Sequence, residues 1–260
     1  MVQFAANLSM LFSEFDFLDR FELASQSGFK GVEYLFPYDH EESVLAEILK
    51  VNDLIQVLHN LPSGDWENGE RGIACIPDRV DEFKSGVENA IRYAKALNCD
   101  QLNCLAGIRP NGIPDELLRE TFVANLRFAS SLLEKAGIKL YIEPINTIDI
   151  PGFYLTGTDQ ARSIIKEVRS DNLMLQYDVY HMQIMEGDLS RTIENNIDII
   201  GHIQIADNPG RNEPGTGEIN YSHVFSLLDR IGYKGWVGCE YKPLRATISG
   251  LKWIARYTDK

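Results

Sequence analysis

Short apolar runs and longer segments with helical spacing alternate eight times along this chain, with no break in composition to divide the series. The runs "FAANLSM" (4–10), "GVEYLF" (31–36), "IQVLHNL" (55–61), "QLNCLAG" (101–107), "KLYIEPI" (139–145), "LMLQYD" (173–178), "GHIQIAD" (201–207) and "GWVGCEY" (235–241) predict strands. Between them, "VENAIRYAKALN" (87–98) and "FVANLRFASSLLEKAG" (122–137) repeat apolar residues with a helical period. Glycines in "SGF" (27–29), "KAG" (135–137) and "IGYKG" (231–235) stand where a helix should stop and a strand begin. Such alternation implies parallel β-α units, because a parallel strand needs a crossover before the next. Eight units in 260 residues predict an α/β fold, a (β/α)8 TIM barrel spanning 1–260 as one domain, with its active site at the C-terminal ends of the strands. A doubly wound open sheet is the competitor. It usually needs fewer strands, and no strand here runs into a G-x-G-x-x-G turn.

Charge narrows the partners. A net charge of −13 and a pI near 4.8 oppose nucleic acid, whose binding rests on clustered Lys and Arg. The four cysteines, Cys75, Cys99, Cys104 and Cys239, lack C-x-x-C spacing and are expected as reduced, buried thiols. The start of the chain has no basic lead with an uninterrupted apolar stretch, and no segment reaches the roughly 18 apolar residues of a membrane span. These features predict a cytoplasmic protein without a membrane partner. A homo-oligomer is left open.

In a TIM barrel a polar residue late in a strand sits where chemistry happens, and elsewhere in the strand it is costly. Strands 5 to 8 each carry one: Glu143, Asp178, Gln204 and Glu240. A strand-end Glu taken alone more often pairs on the surface or caps a helix, and Gln204 alone could hydrogen-bond a loop. Four on consecutive strands at one depth should converge. Three buried carboxylates together repel strongly, and no Arg or Lys lies beside them late in those strands (Lys139 opens strand 5 at its far end), so a cation is needed. Oxygen donors suit a hard divalent ion, Mg²⁺ or Mn²⁺, better than zinc. His181, three residues past Asp178, is placed to overhang the pocket. His59 ends strand 3. His202 faces the same side as Gln204 and reads as a supporting residue, while His40 and His223 receive no role.

The stretches "IEPINTIDIPGFYL", "LQYDVYHMQIMEGDL", "GHIQIADNPGRNEPGTGEINY" and "GYKGWVGCEYKP" closely resemble the bacterial hydroxypyruvate isomerases of the xylose-isomerase-like barrel superfamily, as do "FAANLSMLF" and "GVEYLFPY". The resemblance covers essentially the whole chain. It implies reversible conversion of hydroxypyruvate to tartronate semialdehyde (2-hydroxy-3-oxopropanoate), with a divalent metal on Glu143, Asp178, Gln204 and Glu240. It also implies that Glu143 and Glu240 are the two acid/base residues. Related ketose 3-epimerases usually have His at the position of Gln204, a departure that favours the isomerase branch.

The chemistry agrees with those residue types. Isomerisation moves hydrogens between neighbouring carbons, and opposed carboxylates can take and return a proton across a planar enediolate. His181 is expected to donate to a substrate oxygen. A keto acid's own carboxylate also needs a cradle, for which Lys242, Arg71 and Arg211 are the candidate cations and Trp66 a candidate cover. Glu218 is expected only to cap the helix near Tyr221. No nucleotide cofactor is required. The nearest rival is an isomerase of a four-carbon 2-keto sugar acid, a 2-oxotetronate, with the same residues and a different pocket depth. A ketose 3-epimerase and a non-catalytic sugar-acid-binding barrel rank lower. A multi-zinc abasic-site nuclease is opposed by five His and the net charge.

Overall fold

A computed structural model describes residues 2–258. Eight parallel strands, β1 (Gln3–Asn7), β2 (Gly31–Glu33), β3 (Ile55–Asn60), β4 (Gln101–Cys104), β5 (Lys139–Ile142), β6 (Leu173–Asp178), β7 (Ile200–Ile205) and β8 (Trp236–Cys239), pair in sequence order and close β8 onto β1. The expected (β/α)8 barrel is thus observed. Its outer layer is α1 (Arg20–Gln26), α2 (Glu42–Val51), α3 (Val80–Ala96), α4 (Asp115–Ala136), α5 (Thr158–Val168), α6 (Val179–Met185), α7 (Leu189–Asn196) and α8 (Tyr221–Arg230), with short helical turns after β8.

The helices bury the faces that the period assigns. In α4 these are Leu118, Phe122, Leu126, Ala129 and Leu133; in α3, Phe83, Val87, Ala90 and Ala94. Gly137 ends α4 in the left-handed region at φ 75°, where a side chain would be opposed. Both helices begin earlier than their apolar spacing suggested, α3 at Val80 and α4 at Asp115. Their first turns are charged ("VDEFK", "DELLRE") and so carry little periodic signal. Pro77 and Pro114, just upstream, were the readable start signals.

The strand expectations overran at the C-terminal end. β1 stops at Asn7, β2 at Glu33, β4 at Cys104, β5 at Ile142 and β8 at Cys239. Residues just beyond, such as Leu8, Leu105, Ile145 and Tyr241, stay buried under the loops of the active face and therefore read as strand. Only β6 has the expected bounds, 173–178.

Inside the barrel, the N-terminal end is plugged by Ala5, Val57, Leu58 and Tyr141, with Met174 and Trp236 against them. Gly31 has room for no Cβ, which would lie 2.7 Å from Val57 Cγ2. The four cysteines are free and buried. No helix among the described residues is long and apolar enough to cross a membrane.

Candidate active site

Above the apolar plug every strand carries a polar residue at its C-terminal end or one position to either side of it. Asn7 closes β1, Glu33 β2, Asn60 β3, Asp178 β6; Asn103 and Gln204 stand one residue before the ends of β4 and β7. Glu143 and Glu240 follow β5 and β8 directly. All eight are buried. Register makes this a layer: Asn7 pairs Glu33, Asn60 pairs Asn103, and Asp178 pairs Gln204. Ala6 pairs Cys239, which brings Glu240 beside Asn7.

The layer is wired by amides. Asn7 Nδ2 donates to Glu33 Oε1 (3.0 Å) and to Glu240 Oε1 (3.2 Å). Asn103 Nδ2 donates to Glu143 Oε2 at 2.9 Å and to Asn60 Oδ1 at 3.2 Å. Gln204 gives its Nε2 to Glu33 Oε1 (2.7 Å) and accepts on Oε1 from Gln176 Nε2 (2.6 Å). His202 Nε2 lies 2.8 Å from Glu33 Oε2, so His202 supports from beneath the layer, as its phase relative to Gln204 suggested.

One atom of each of Glu143, Asp178, His181 and Glu240 lies within 4.8 Å of all the others. Asp178 divides its labour. Its Oδ1 accepts from Tyr180 N (2.8 Å) and caps α6, which is why the strand can end on an acid. Its Oδ2 is buried without a hydrogen-bond partner. Burial and the neighbouring charges of Glu240 and Asp178 push the Glu143 carboxyl well above the usual carboxylate range. Burial pushes Asp178 to about 6 against the opposing pull of Arg211, and Glu240 to about 8 against the same pull. Burial, then Arg211, holds His181 well below an ordinary imidazole. Buried acids this close, one with an orphaned oxygen, fit a hard divalent cation, which would hold them all ionised.

The sequence reading of the local charge needs one correction. The C-terminal ends of the strands lack a cation, but Arg211 reaches in from the loop after β7: its NH2 is 2.6 Å from Glu240 Oε2 and 3.8 Å from Asp178 Oδ2. Its guanidinium lies over the Tyr180 ring at 5.1 Å and is largely buried, unlike a solvated loop charge. Arg71 and Lys242 line the same cavity of about 490 Å³. Arg71 NH1 donates to the carbonyls of Trp66 (2.9 Å) and Glu70 (2.7 Å), and its guanidinium lies 4.1 Å from the Trp66 ring centroid. Lys242 is exposed at the mouth. Glu218 does not cap α8; its Oε1 accepts from Asn208 (2.6 Å) and Gln183 (3.1 Å). Asn220, directly before the helix, is the cap, accepting from His223 N at 3.1 Å.

Sequence reasoning missed Asn7, Glu33, Asn60 and Asn103. The signal was present for Asn60, late in its expected strand "IQVLHNL", whereas Asn7, Glu33 and Asn103 fall at or before the middle of theirs because those expected strands overran. Asn146 and Gln176 gave no such signal.

The xylose isomerase-like TIM barrel family matches residues 21–257. Hydroxypyruvate isomerase of Escherichia coli is 56% identical over 99% of this chain and all of its own length. The 2-oxo-tetronate isomerase of Cupriavidus necator is 44% identical over the full length of both. A crystal structure of a Brucella melitensis protein described as an AP endonuclease of family 2 superposes with a TM-score of 0.97 at 47% identity, covering both chains fully. A 3-keto-D-glucoside 4-epimerase of E. coli, 20% identical over 98% of this chain and 99% of its own, shares the fold at a TM-score of 0.78. The chain therefore belongs to the xylose isomerase-like TIM-barrel family, beside hydroxypyruvate and 2-oxo-tetronate isomerases.

Proposed function

We propose that this chain is a metal-dependent isomerase that interconverts hydroxypyruvate and tartronate semialdehyde. The observation that carries the reading is the meeting of Glu143, Asp178 and Glu240 within 4.8 Å, with Glu143 and Glu240 lining a cavity that Arg211 also lines. A divalent cation, Mg²⁺ or Mn²⁺, held by Glu143, Asp178, Gln204 and Glu240 would polarise the substrate carbonyl and steady the negative charge of the enediolate.

The chain's own groups supply the rest. One of Glu143 and Glu240 removes the carbon-bound proton, and a proton is returned at the neighbouring carbon. Amides fix both bases: Asn103 holds Glu143, Asn7 holds Glu240, and neither rotates freely as its charge changes. His181 donates to the substrate oxygen on which charge develops. Arg211, Arg71 and Lys242 offer the substrate carboxylate its cationic wall, and Trp66 covers the mouth. The enzyme acts as one domain in the cytoplasm on free small molecules, needs no nucleotide, nucleic acid or membrane, and is open to assembly as a homo-oligomer.

A four-carbon 2-oxotetronate is the second reading, favoured by the 44% relative and by a cavity of about 490 Å³. A nuclease is not favoured: the cluster holds one His among three carboxylates, and the chain's charge is −13.

Proton NMR of hydroxypyruvate in D₂O, with metal-stripped protein before and after adding Mg²⁺ or Mn²⁺, tests the reading. Tartronate semialdehyde should grow only with both protein and metal. Deuterium exchange without that product would transfer the assignment to the longer keto acid, and no exchange with either metal would remove the isomerase reading.

A further inference from the structure

We propose that Asn146 is a positioning residue that locks His181 in the tautomer carrying its proton on Nε2, so that this nitrogen meets the cavity as a hydrogen-bond donor and not as a metal ligand. The catalytic consequence rests on the isomerase reading above. The tautomer itself does not.

Asn146 lies in the loop after β5 and is fully buried. Its amide has one orientation. Oδ1 accepts from the backbone N–H of Ile148 (3.0 Å) and of Asp149 (2.8 Å), two donors that no amide nitrogen could satisfy. Nδ2 therefore stands on the opposite side, where it donates to Asp149 Oδ2 at 3.1 Å and lies 2.6 Å from His181 Nδ1. An amide NH₂ has no lone pair to offer, so Nδ1 must be the bare, accepting nitrogen. The backbone N–H of Asn146 points at the same atom at 3.5 Å. The remaining ring nitrogen, Nε2, carries the hydrogen and lies 3.5 Å from Asp178 Oδ2.

This separates two readings that proximity leaves equal. By distance alone His181 is a fourth ligand alongside Glu143, Asp178 and Glu240. A ring nitrogen that holds its proton has no lone pair in the ring plane to coordinate, so the fourth donor falls to the oxygen of Gln204. His181 instead delivers an N–H to the substrate oxygen that becomes negative. A buried ring wedged between a fixed donor and the substrate needs no reorganisation as that charge forms.

The test is ¹⁵N NMR of the histidine rings in wild type, Asn146→Asp and Asn146→Ala, read together with turnover and Mn²⁺ affinity. Wild-type His181 should show a bare Nδ1 and a protonated Nε2. The carboxylate of Asn146→Asp can only accept, so it should draw the proton to Nδ1; Asn146→Ala, which adds no charge beside Asp149, should give mixed tautomers. In N146D kcat should fall on the order of a hundredfold, the usual worth of a positioned proton donor, with Mn²⁺ affinity unchanged. A protonated Nδ1 in wild type overturns the proposal, as does undiminished kcat in both variants. Loss of Mn²⁺ affinity in step with the tautomer would make His181 a ligand and also overturn it. If wild type isomerises no keto acid, the functional reading fails, and the wild-type spectrum still decides the tautomer.

Discussion

Glu33 and Gln204, on strands β2 and β7 across the barrel, are joined by a 2.7 Å hydrogen bond from the Gln204 amide nitrogen to a carboxylate that is itself fully buried. The bond fixes which end of the Gln204 amide faces which neighbour. With Nε2 committed to Glu33, Oε1 is turned toward Gln176, from whose amide it accepts at 2.6 Å. Glu33 needs such partners: Asn7 and His202 also approach it, at 3.0 and 2.8 Å, and a carboxylate buried without them would be expensive. Replacing Glu33 by Ala should leave the Gln204 amide free to turn and several buried donors unpaired. Mn²⁺ affinity is expected to fall about 10- to 100-fold, as for other residues that orient a ligand, measured by calorimetric titration. Unchanged affinity would detach Gln204 from the metal site.

Much of this was legible from the chain. Eight alternations point to the barrel, and polar residues late in strands 5 to 8 point to Glu143, Asp178, Gln204 and Glu240, because four at one depth on consecutive strands should converge even though each alone has a structural use. Glu33 was less legible, because it falls in the middle of the expected strand "GVEYLF" (31–36), and only the observed end of β2 at Glu33 brings it to the polar layer. Arg211 was visible as a loop cation, but no local pattern says that a loop folds inward. Four backbone N–H groups, from Asn208, Gly215, Gly217 and Ile219, converge on the buried carboxylate of Asp207 and shape that loop. Such convergence is a property of the folded chain. Asn146 was illegible for a similar reason, since its importance lies in which way an amide points.

Gly238 tests the same relationship from the other side. A Cβ there would overlap the Glu33 carboxylate, so Gly238→Ala should destabilise the fold by about 1–3 kcal/mol, in the range of overpacked cores. Combined with Glu33→Ala, the added methyl enters the space that the carboxylate has left. The two losses should then sum to less than their separate values in a double-mutant cycle by urea denaturation. Strict additivity would mean that the two sites do not share that space.

Arg211 offers the most direct separation of binding from chemistry. Its guanidinium lies 2.6 Å from Glu240 and stacks near Tyr180, leaving Nε buried without a partner. Arg211→Met should raise KM for a keto acid far more than it lowers kcat, by roughly tenfold or more if one charge-assisted bond of about 1.5–3 kcal/mol is lost. Arg211→Lys should restore little, because a point charge cannot reproduce the planar fork. An equal fall in kcat with constant KM would move Arg211 from substrate binding to the proton-transfer step.

His59 gives a pH dependence that owes nothing to the acidic cluster. The ring is fully buried, its Nδ1 lies 3.1 Å from the carbonyl of Asn60, and its Nε2 has no partner, so burial lowers the imidazole from 6.5 to about 4. Between those values the unfolded chain binds a proton that the folded chain refuses. Stability from this residue is therefore intact above pH 6.5, declines as pH falls, and levels off below pH 4. A shift of this size corresponds to about 3 kcal/mol in full, of which about 2 kcal/mol should be lost between pH 7 and 5. Asp178 and Glu240, raised by burial, slope the opposite way over part of this range, so the comparison must be with His59→Gln at each pH. The difference in urea midpoint between wild type and this variant should narrow or reverse as pH falls from 7 to 5. A constant difference would show that His59 accepts its proton in the folded barrel as readily as in the open chain.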